Sequence, residues 1–198
     1  MHRRLFPIFV LLGAAGFFGL LPLRATSVVA PSFAELVSEA QVIVRGTVQA
    51  VRCAWVETPQ GRLIKTYVTF AVEKRLKGPA PEELVLEFLG GEIDGEGMRV
   101  EGMPQFAAGR REILFVSGNG VRFCPLVGMM HGRYHVMKEA ATAREFITRD
   151  DGVPLENPDD VQLPQGLAAA AGHRARVGLP AEAFEQAIAA EAAPRALR

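Results

Sequence analysis

Two alternating stretches joined by a turn, between Leu63 and Gly91, constrain the fold of this chain more than any other feature. The alternating apolar residues are Val68, Phe70, Val72, Leu84, Leu86 and Phe88. Apolar and polar residues that alternate with a period of two indicate half-buried strands. Gly78 permits unusual backbone dihedrals and Pro79 lacks a backbone donor, so the chain turns between the two stretches. We therefore predict an antiparallel strand pair in a mainly β fold.

Other segments predict further strands and a short helix near each end of the domain. Predicted strands lie at 42–50, 98–101, 113–116, 121–124 and 132–138, with a hairpin at 146–155. Gly118-Asn119-Gly120 is a hairpin turn signal between two of them. Ser32 and Glu35 have capping-box spacing, which predicts a helix ending near Ala40. Pro180 predicts the start of a helix to Ala192, and residues 167–171 are weakly helical.

The first residues have the pattern of a secretory signal peptide. His2, Arg3 and Arg4 precede an uncharged run from Leu5 to Leu23, and small residues follow. The alternative is a retained membrane anchor, because the run approaches the ~20 residues that span a bilayer. We predict a cleaved signal over 1–27, a domain over 28–156 and an Ala/Pro-rich tail over 157–198. The mature protein is then periplasmic or secreted, with no membrane segment.

Charge and cysteine content narrow the function classes. The chain of 198 residues carries 22 Lys plus Arg and 22 Asp plus Glu, so no net field attracts nucleic acid or an anionic membrane. Its two cysteines, Cys53 and Cys124, predict one disulfide in an oxidising compartment. The alternative is two free thiols that pack as small apolar groups.

Six segments together resemble a known module. They are A-Q-V-I-V-R-G-T-V from Ala40, the strand from Thr66 to Val72, R-L-K-G-P, E-L-V-L-E-F, R-E-I-L-F-V and V-R-F-C. This set is similar to the N-terminal barrel of the netrin-like, TIMP-like module, and covers about Phe33 to Cys124, more loosely to Leu155. The resemblance implies a five-stranded Greek-key barrel of the OB type with an added hairpin and short flanking helices.

The resemblance does not extend to the mechanism of the metalloprotease inhibitors in that family. Their mature chain begins with Cys-x-Cys, whose first residue chelates the zinc of the target enzyme. Here the mature N-terminus falls near Thr26, Val28 or Pro31, and no cysteine lies close. Zinc chelation therefore cannot be transferred, whereas docking through the barrel edge and loops can.

The segment from Met129 to Met137 contains the side chains that are best suited to bind a metal. Imidazole and thioether side chains bind copper, and His131, His135 and Met137 share one face if the strand begins early. The alternative is a barrel strand in which Met fills the core, and we predict no metal site on spacing alone. Glu92, Asp94 and Glu96 do not follow the EF-hand spacing, so we interpret them as a solvated loop.

Catalytic and nucleic-acid patterns are weak. Ser117 lacks the Gly-x-Ser-x-Gly elbow, and Cys53 with His135 is the one thiol–imidazole candidate, which a disulfide would remove. Trp55 and Tyr134 are the aromatic residues expected to be exposed. We predict no catalytic residue and no cofactor.

The resulting prediction is an exported, non-catalytic module that binds another envelope or secreted protein, a metallopeptidase being one candidate. The alternatives are an envelope protein that carries a metal or small ligand, and a hydrolase. A protein partner requires an exposed apolar patch or an open strand edge. A metal carrier requires converging His and Met side chains, and a hydrolase requires a pocket with perturbed titratable groups.

Overall fold

The computed structural model describes residues 30–163 and 177–193. Its helices and strands are α1 Phe33–Glu39, β1 Val42–Thr58, β2 Gly61–Lys77, β3 Glu83–Leu89, β4 Gly91–Ile93, β5 Glu96–Met98, β6 Arg111–Val116, β7 Arg133–Lys138, β8 Glu145–Arg149 and α2 Ala181–Ala192. One-turn 3₁₀ helices lie at Met129–Gly132 and Pro158–Gln162. The predicted signal segment and the weak helix at 167–171 fall outside the described residues.

The strands form a six-stranded antiparallel sheet in the order β3-β2-β1-β6-β7-β8, and β4 and β5 form a separate hairpin. The predicted strand pair is confirmed as β2 and β3, with Phe70 opposite Leu84 and Val68 opposite Leu86. The mainly β class and both helices are confirmed. In the described part of the chain, β3 and β8 do not pair with each other, so no closed barrel is detected.

Both faces of the sheet are covered, which explains the continuous apolar run of β6. Ile113 and Phe115 point to the face that α1 and α2 cover, together with Phe33, Tyr134 and Phe184. The next residues along the strand, Leu114 and Val116, point to the opposite core, which contains Val44, Val68, Phe70, Leu86 and Phe88. A strand buried on both faces needs apolar residues at every position.

The predicted Asn-Gly hairpin does not form. Residues 117–124 make a turn instead, and Val116 makes a single bridge to Leu126. The Asn119 side chain donates to the Val85 carbonyl at 2.8 Å and accepts from the Glu87 amide at 3.0 Å. Because Asn119 satisfies backbone groups on the outer edge of β3, the local turn preference gives way to a long-range contact.

The other outer strand, β8, is covered as well. The Ile147 amide donates to the Leu179 carbonyl at 3.0 Å, and the Leu155 amide donates to the Ile147 carbonyl at 3.1 Å. These contacts hold the segment before α2 against the sheet, so the second predicted helix docks rather than frays. Covered edges also protect a β-protein against pairing with other chains.

A network of charged side chains connects α2 to four strands. Arg45 on β1 is 5% exposed and lies 2.7 Å from Glu185 of α2, 2.5 Å from Glu145 and 3.2 Å from Glu73. Arg111 also binds both Glu73 and Glu145. Every charge in this group has an opposite partner, which a buried ion cluster requires.

Acid is expected to destabilise the fold through this network. Hydrogen bonds from Arg111 lower the pKa of Glu73 to about 2. A carboxyl whose pKa is lowered by folding stabilises the protein above its ordinary pKa of 4.5, and this contribution is lost as the pH falls toward 2. We expect Glu73 to contribute about 2 kcal/mol after allowance for solvent screening. Urea unfolding at several pH values should show a steep loss below pH ~5. A slope that Glu73→Gln leaves unchanged would contradict this assignment.

Candidate functional site

A cleft of about 650 Å³ lies beside the β4–β5 hairpin. Its walls are the interior of β1 and β2, the end of β3, the hairpin itself and the segment 99–106. Phe88, Met98, Met103 and Phe106 contribute apolar surface, and Cys53 contributes a thiol. The volume lies in the range of small-molecule sites.

Gly91 sets the position of the hairpin over Cys53. A Cβ at Gly91 would lie 2.7 Å from the Cys53 Sγ and 2.5 Å from the Thr66 Oγ1. Gly91 also has a φ of +135°, which L side chains rarely adopt. The hairpin backbone can therefore rest on the thiol only because this residue has no side chain. The Gly90-Gly91 pair in the sequence is explained by this close approach.

A smaller cavity of about 390 Å³ lies on the other side of the segment 99–106, and Met103 and Gln105 line both cavities. Its remaining lining residues are Ala107, Arg110, Arg133, His135 and Asp150. Arg133 binds Glu112 through two hydrogen bonds of 2.6 and 3.1 Å, and Asp150 at 2.9 Å. The Phe106 ring packs on the Arg133 guanidinium at 4.2 Å.

The buried carboxylate of Glu112 lies behind this second cavity and contacts two of its lining residues, Arg133 and His135. Burial alone would raise the pKa of Glu112, but its contacts with His135 and Arg133 lower it below the ordinary value. The His135 Nδ1 lies 3.4 Å from the Glu112 Oε1 and makes no hydrogen bond of good geometry, and its Nε2 lies 3.9 Å from the Asp150 Oδ1. The group joins the carboxylates of Glu112 and Asp150 through the Arg133 guanidinium. It can position a loop or a bound polar group, and we assign it no catalytic step.

The structure separates the residues considered for a His/Met metal site. β7 begins at Arg133, so Arg133, His135 and Met137 share one face, whereas His131 lies in the preceding 3₁₀ turn. Burial and the nearby Arg149 lower the pKa of His131. Met137 accepts a contact from Arg110 at 3.6 Å. Across residues 30–163 and 177–193, no three His, Cys, Asp or Glu side chains are arranged to hold a metal ion.

The structure differs from the predicted Cys53–Cys124 disulfide, because both cysteines are free thiols. Cys53 is half-buried at the cleft and lies 3.4 Å from the Thr66 hydroxyl. Cys124 is 4% exposed and packs in the core with Val116 and Leu126. The alternating sequence pattern could not predict where the two thiols lie, because an irregular turn at 117–124 replaces the expected strand.

The two thiols should differ in reactivity. Burial raises the pKa of Cys124 and blocks reagent access, whereas the Cys53 thiol faces the cleft. We expect iodoacetamide to label one thiol, at Cys53, in the native protein, and to label Cys124 after unfolding in guanidinium. Mass spectrometry of tryptic peptides distinguishes the two positions. A native protein that reacts at neither thiol until a reductant is added would contain the disulfide instead.

The predicted exposed aromatic residues have different surroundings. Tyr134 is 2% exposed and packs against Phe115 and Phe184, so the prediction of exposure was wrong. The cause is that α1 and α2 cover the face of the sheet that Tyr134 shares with Val136. Trp55 lies opposite Ile64 in the β1–β2 ladder, with the Arg62 guanidinium 4.3 Å above its ring.

Asp94 forms the tip of the β4–β5 hairpin with a φ of +54°.

One exposed apolar patch lies beside the outer edge of β3. Val121 is 89% exposed, Phe123 is 53% exposed and Val85 on β3 is 39% exposed. The Phe123 carbonyl accepts from the Leu89 amide at 2.8 Å, and Asn119 binds β3 on the same edge. We call residues 117–124 the edge loop. Alternating sequence patterns could not find this patch, because the loop is irregular.

Among the helices of the described residues, none has the length and apolar character needed to cross a bilayer. Comparison with protein-family models and with curated proteins gives no match to this chain.

Proposed function

We propose that this protein is an exported, non-catalytic module that docks onto another envelope or secreted protein through the edge loop. The observation that carries the proposal is the exposure of Val121 at 89% and Phe123 at 53%. Burying apolar surface yields about 25 cal/mol per Å², so two such side chains on one loop favour association. Aromatic residues are also frequent among the residues that dominate binding energy.

The tethering of the edge loop supports the same function. Asn119 and Phe123 hydrogen-bond to β3, and the Ser117 amide donates to the Pro125 carbonyl at 2.8 Å. A loop that is already held in place loses little conformational entropy on binding. Because both sheet edges are covered, we propose contact through side chains rather than strand addition.

We also propose that the domain is a netrin-like, TIMP-like barrel of the OB type. Residues 117–127 support this by making hydrogen bonds to β6 on one side and β3 on the other, around the core of Val44, Phe70 and Leu86. If this segment completes a barrel, the Leu89 and Ser117 amides should exchange slowly with deuterium. Exchange as fast as in a free loop would contradict closure. A metallopeptidase partner is proposed from the resemblance alone.

Site-specific photocrosslinking tests the docking proposal. A photoreactive amino acid replaces Val121 in the tagged mature protein, and a matched variant carries it at Val177, which is 70% exposed. After irradiation with envelope and secreted fractions, we expect one dominant protein to be crosslinked from position 121 and not from position 177. Equal capture from both positions, or from neither, would contradict the proposal.

Affinity measurements with the captured protein then test the patch itself. We expect the double variant Val121→Ser, Phe123→Ser to bind at least about tenfold more weakly than the wild type, which corresponds to ~1.4 kcal/mol. Val177→Ser should bind as the wild type does. Unchanged affinity of the double variant would exclude the edge loop as the docking surface.

A further inference from the structure

We propose that the cleft binds monovalent copper through the thiolate of Cys53 and the thioethers of Met98 and Met103. All three side chains line the same cavity of about 650 Å³. Thiolate and thioether are soft ligands, and soft ligands select Cu(I). This set differs from the His131, His135 and Met137 group that the sequence suggests, and it does not depend on the docking proposal.

The β4–β5 hairpin places Met98 opposite the residue that rests on the Cys53 thiol. Gly91 on β4 pairs with Met98 on β5, and a Cβ at Gly91 would lie 2.7 Å from the Cys53 Sγ. The same residue therefore contacts the thiol and is the ladder partner of Met98. Met103 reaches the cleft from the segment that forms its opposite wall.

Two further thioethers end at the same wall. A Cβ at Gly102 would lie 3.2 Å from the Met130 Cε and 3.3 Å from the Met129 Cε. Gly102 itself lines the cleft. The side chains that carry sulfur around this wall are Cys53, Met98, Met103, Met129 and Met130. Met129 and Met130 are not among the lining residues of the cleft, so we assign ligation to Cys53, Met98 and Met103.

The backbone near these thioethers is strained. Met129 has a φ of +58°, a left-handed conformation that is uncommon for a residue other than Gly, Asn or Asp. Strain of this kind clusters at functional sites. The conformation presents two consecutive methionines, Met129 and Met130, at Gly102.

The ligand set favours Cu(I) over divalent ions. Zn²⁺ and Cu²⁺ prefer sites that include imidazole, carboxylate or several thiolates. The cleft offers one thiol, and the carboxylates in its lining, Glu92 and Glu101, form no three-ligand group with it. Within the described ranges, no grouping of three His, Cys, Asp or Glu side chains fits a metal. Cu(I) accepts few ligands, so one thiolate and two thioethers can complete its coordination shell.

Competition with a chromogenic chelator tests the site. The mature, reduced protein is titrated without oxygen into Cu(I) bicinchoninate, and the loss of chelator absorbance reports transfer. We expect the wild type to remove one equivalent of Cu(I). The variant Cys53→Ser, Met98→Leu, Met103→Leu should bind at least about a hundredfold more weakly, because all three proposed ligands are replaced. Met to Leu keeps side-chain volume nearly constant.

Controls separate ligation from packing. Met137→Leu removes a thioether outside the cleft and should bind Cu(I) as the wild type does. Circular dichroism and urea unfolding confirm that each variant is folded before its affinity is compared. The double variant in the edge loop should also keep Cu(I) binding, so failure of the docking proposal leaves this test intact. No Cu(I) transfer to the wild type, or equal transfer to the triple variant, would overturn the proposed site.

Discussion

Replacing Arg45 by Met is expected to lower the free energy of unfolding by about 3 to 5 kcal/mol. Arg45 is 5% exposed and binds Glu73, Glu145 and Glu185 from three different elements. Met keeps the length of the side chain but removes the guanidinium. Glu185, with a side chain 8% exposed, then keeps only the Lys74 ammonium at 2.7 Å. The cost arises mainly from this incompletely compensated buried charge.

Urea unfolding followed by circular dichroism measures this loss. Arg62→Met is the matched control, because Arg62 pairs with Glu57 at the surface, with side chains 56% and 79% exposed. The surface ion pair and the exposed contact of Arg62 with the Trp55 ring each contribute at most about 1 kcal/mol, so this variant should lose much less stability than Arg45→Met. Arg45→Lys should recover only part of the loss, because an ammonium cannot present the planar fork that binds several carboxylates. Equal stability of Arg45→Met and Arg62→Met would show that the network does not hold α2.

Local sequence patterns predicted the elements that depend on near neighbours. The capping box is present, with the Ser32 Oγ accepting from the Glu35 amide and Glu35 binding back to the Ser32 amide. The turn at Gly78 and the pairing of β2 with β3 also follow from residues close in the chain. Such features can be read without tertiary information, because propensity and periodicity both point to the same structure.

Long-range contacts determined the elements that the patterns missed. Asn119 binds β3, more than 30 positions away, and thereby replaces a hairpin turn with the edge loop. β7 starts at Arg133, one residue later than the predicted start at Gly132, and follows a 3₁₀ turn. His131 lies in that turn, so the alternation of side chains along the strand does not place it on the face of His135. A break of this kind ends any inference of side-chain direction from period-two alternation.

The candidate sites could not be predicted from the sequence either, because their residues are far apart along the chain. Cys53 and Met98 are 45 positions apart and line the same cleft because the hairpin backbone rests on the thiol at Gly91. Glu112 and Arg133 appear in the sequence as unremarkable charges, yet Glu112 is fully buried and Arg133 is 4% exposed. A charged residue inside the apolar β6–β7 pattern was the available signal, because charges are buried only when paired.

Replacing Phe184 by Ala is expected to cost about 3 to 5 kcal/mol, because it opens a cavity between α2 and the sheet. Phe184 is fully buried, with its ring centroid 5.2 Å from that of Tyr134, 5.6 Å from that of Phe33 and 6.3 Å from that of Phe115. The α1 helix, β6 and β7 each contribute one of these rings. They are held by the sheet and cannot all move inward to fill the space.

Thermal and urea unfolding of Phe184→Ala should give one cooperative transition at lower stability, because α2 packs in the same core as β6. Gln186→Ala is the matched control, since Gln186 lies on the exposed side of α2 and alanine favours helix. Phe184→Leu should fall between the two, because it fills part of the cavity. A loss below about 1 kcal/mol in Phe184→Ala would mean that α2 contributes little to the core in solution. An early separate transition would mean that α2 detaches before the sheet unfolds, leaving the Arg45 network without its Glu185 partner.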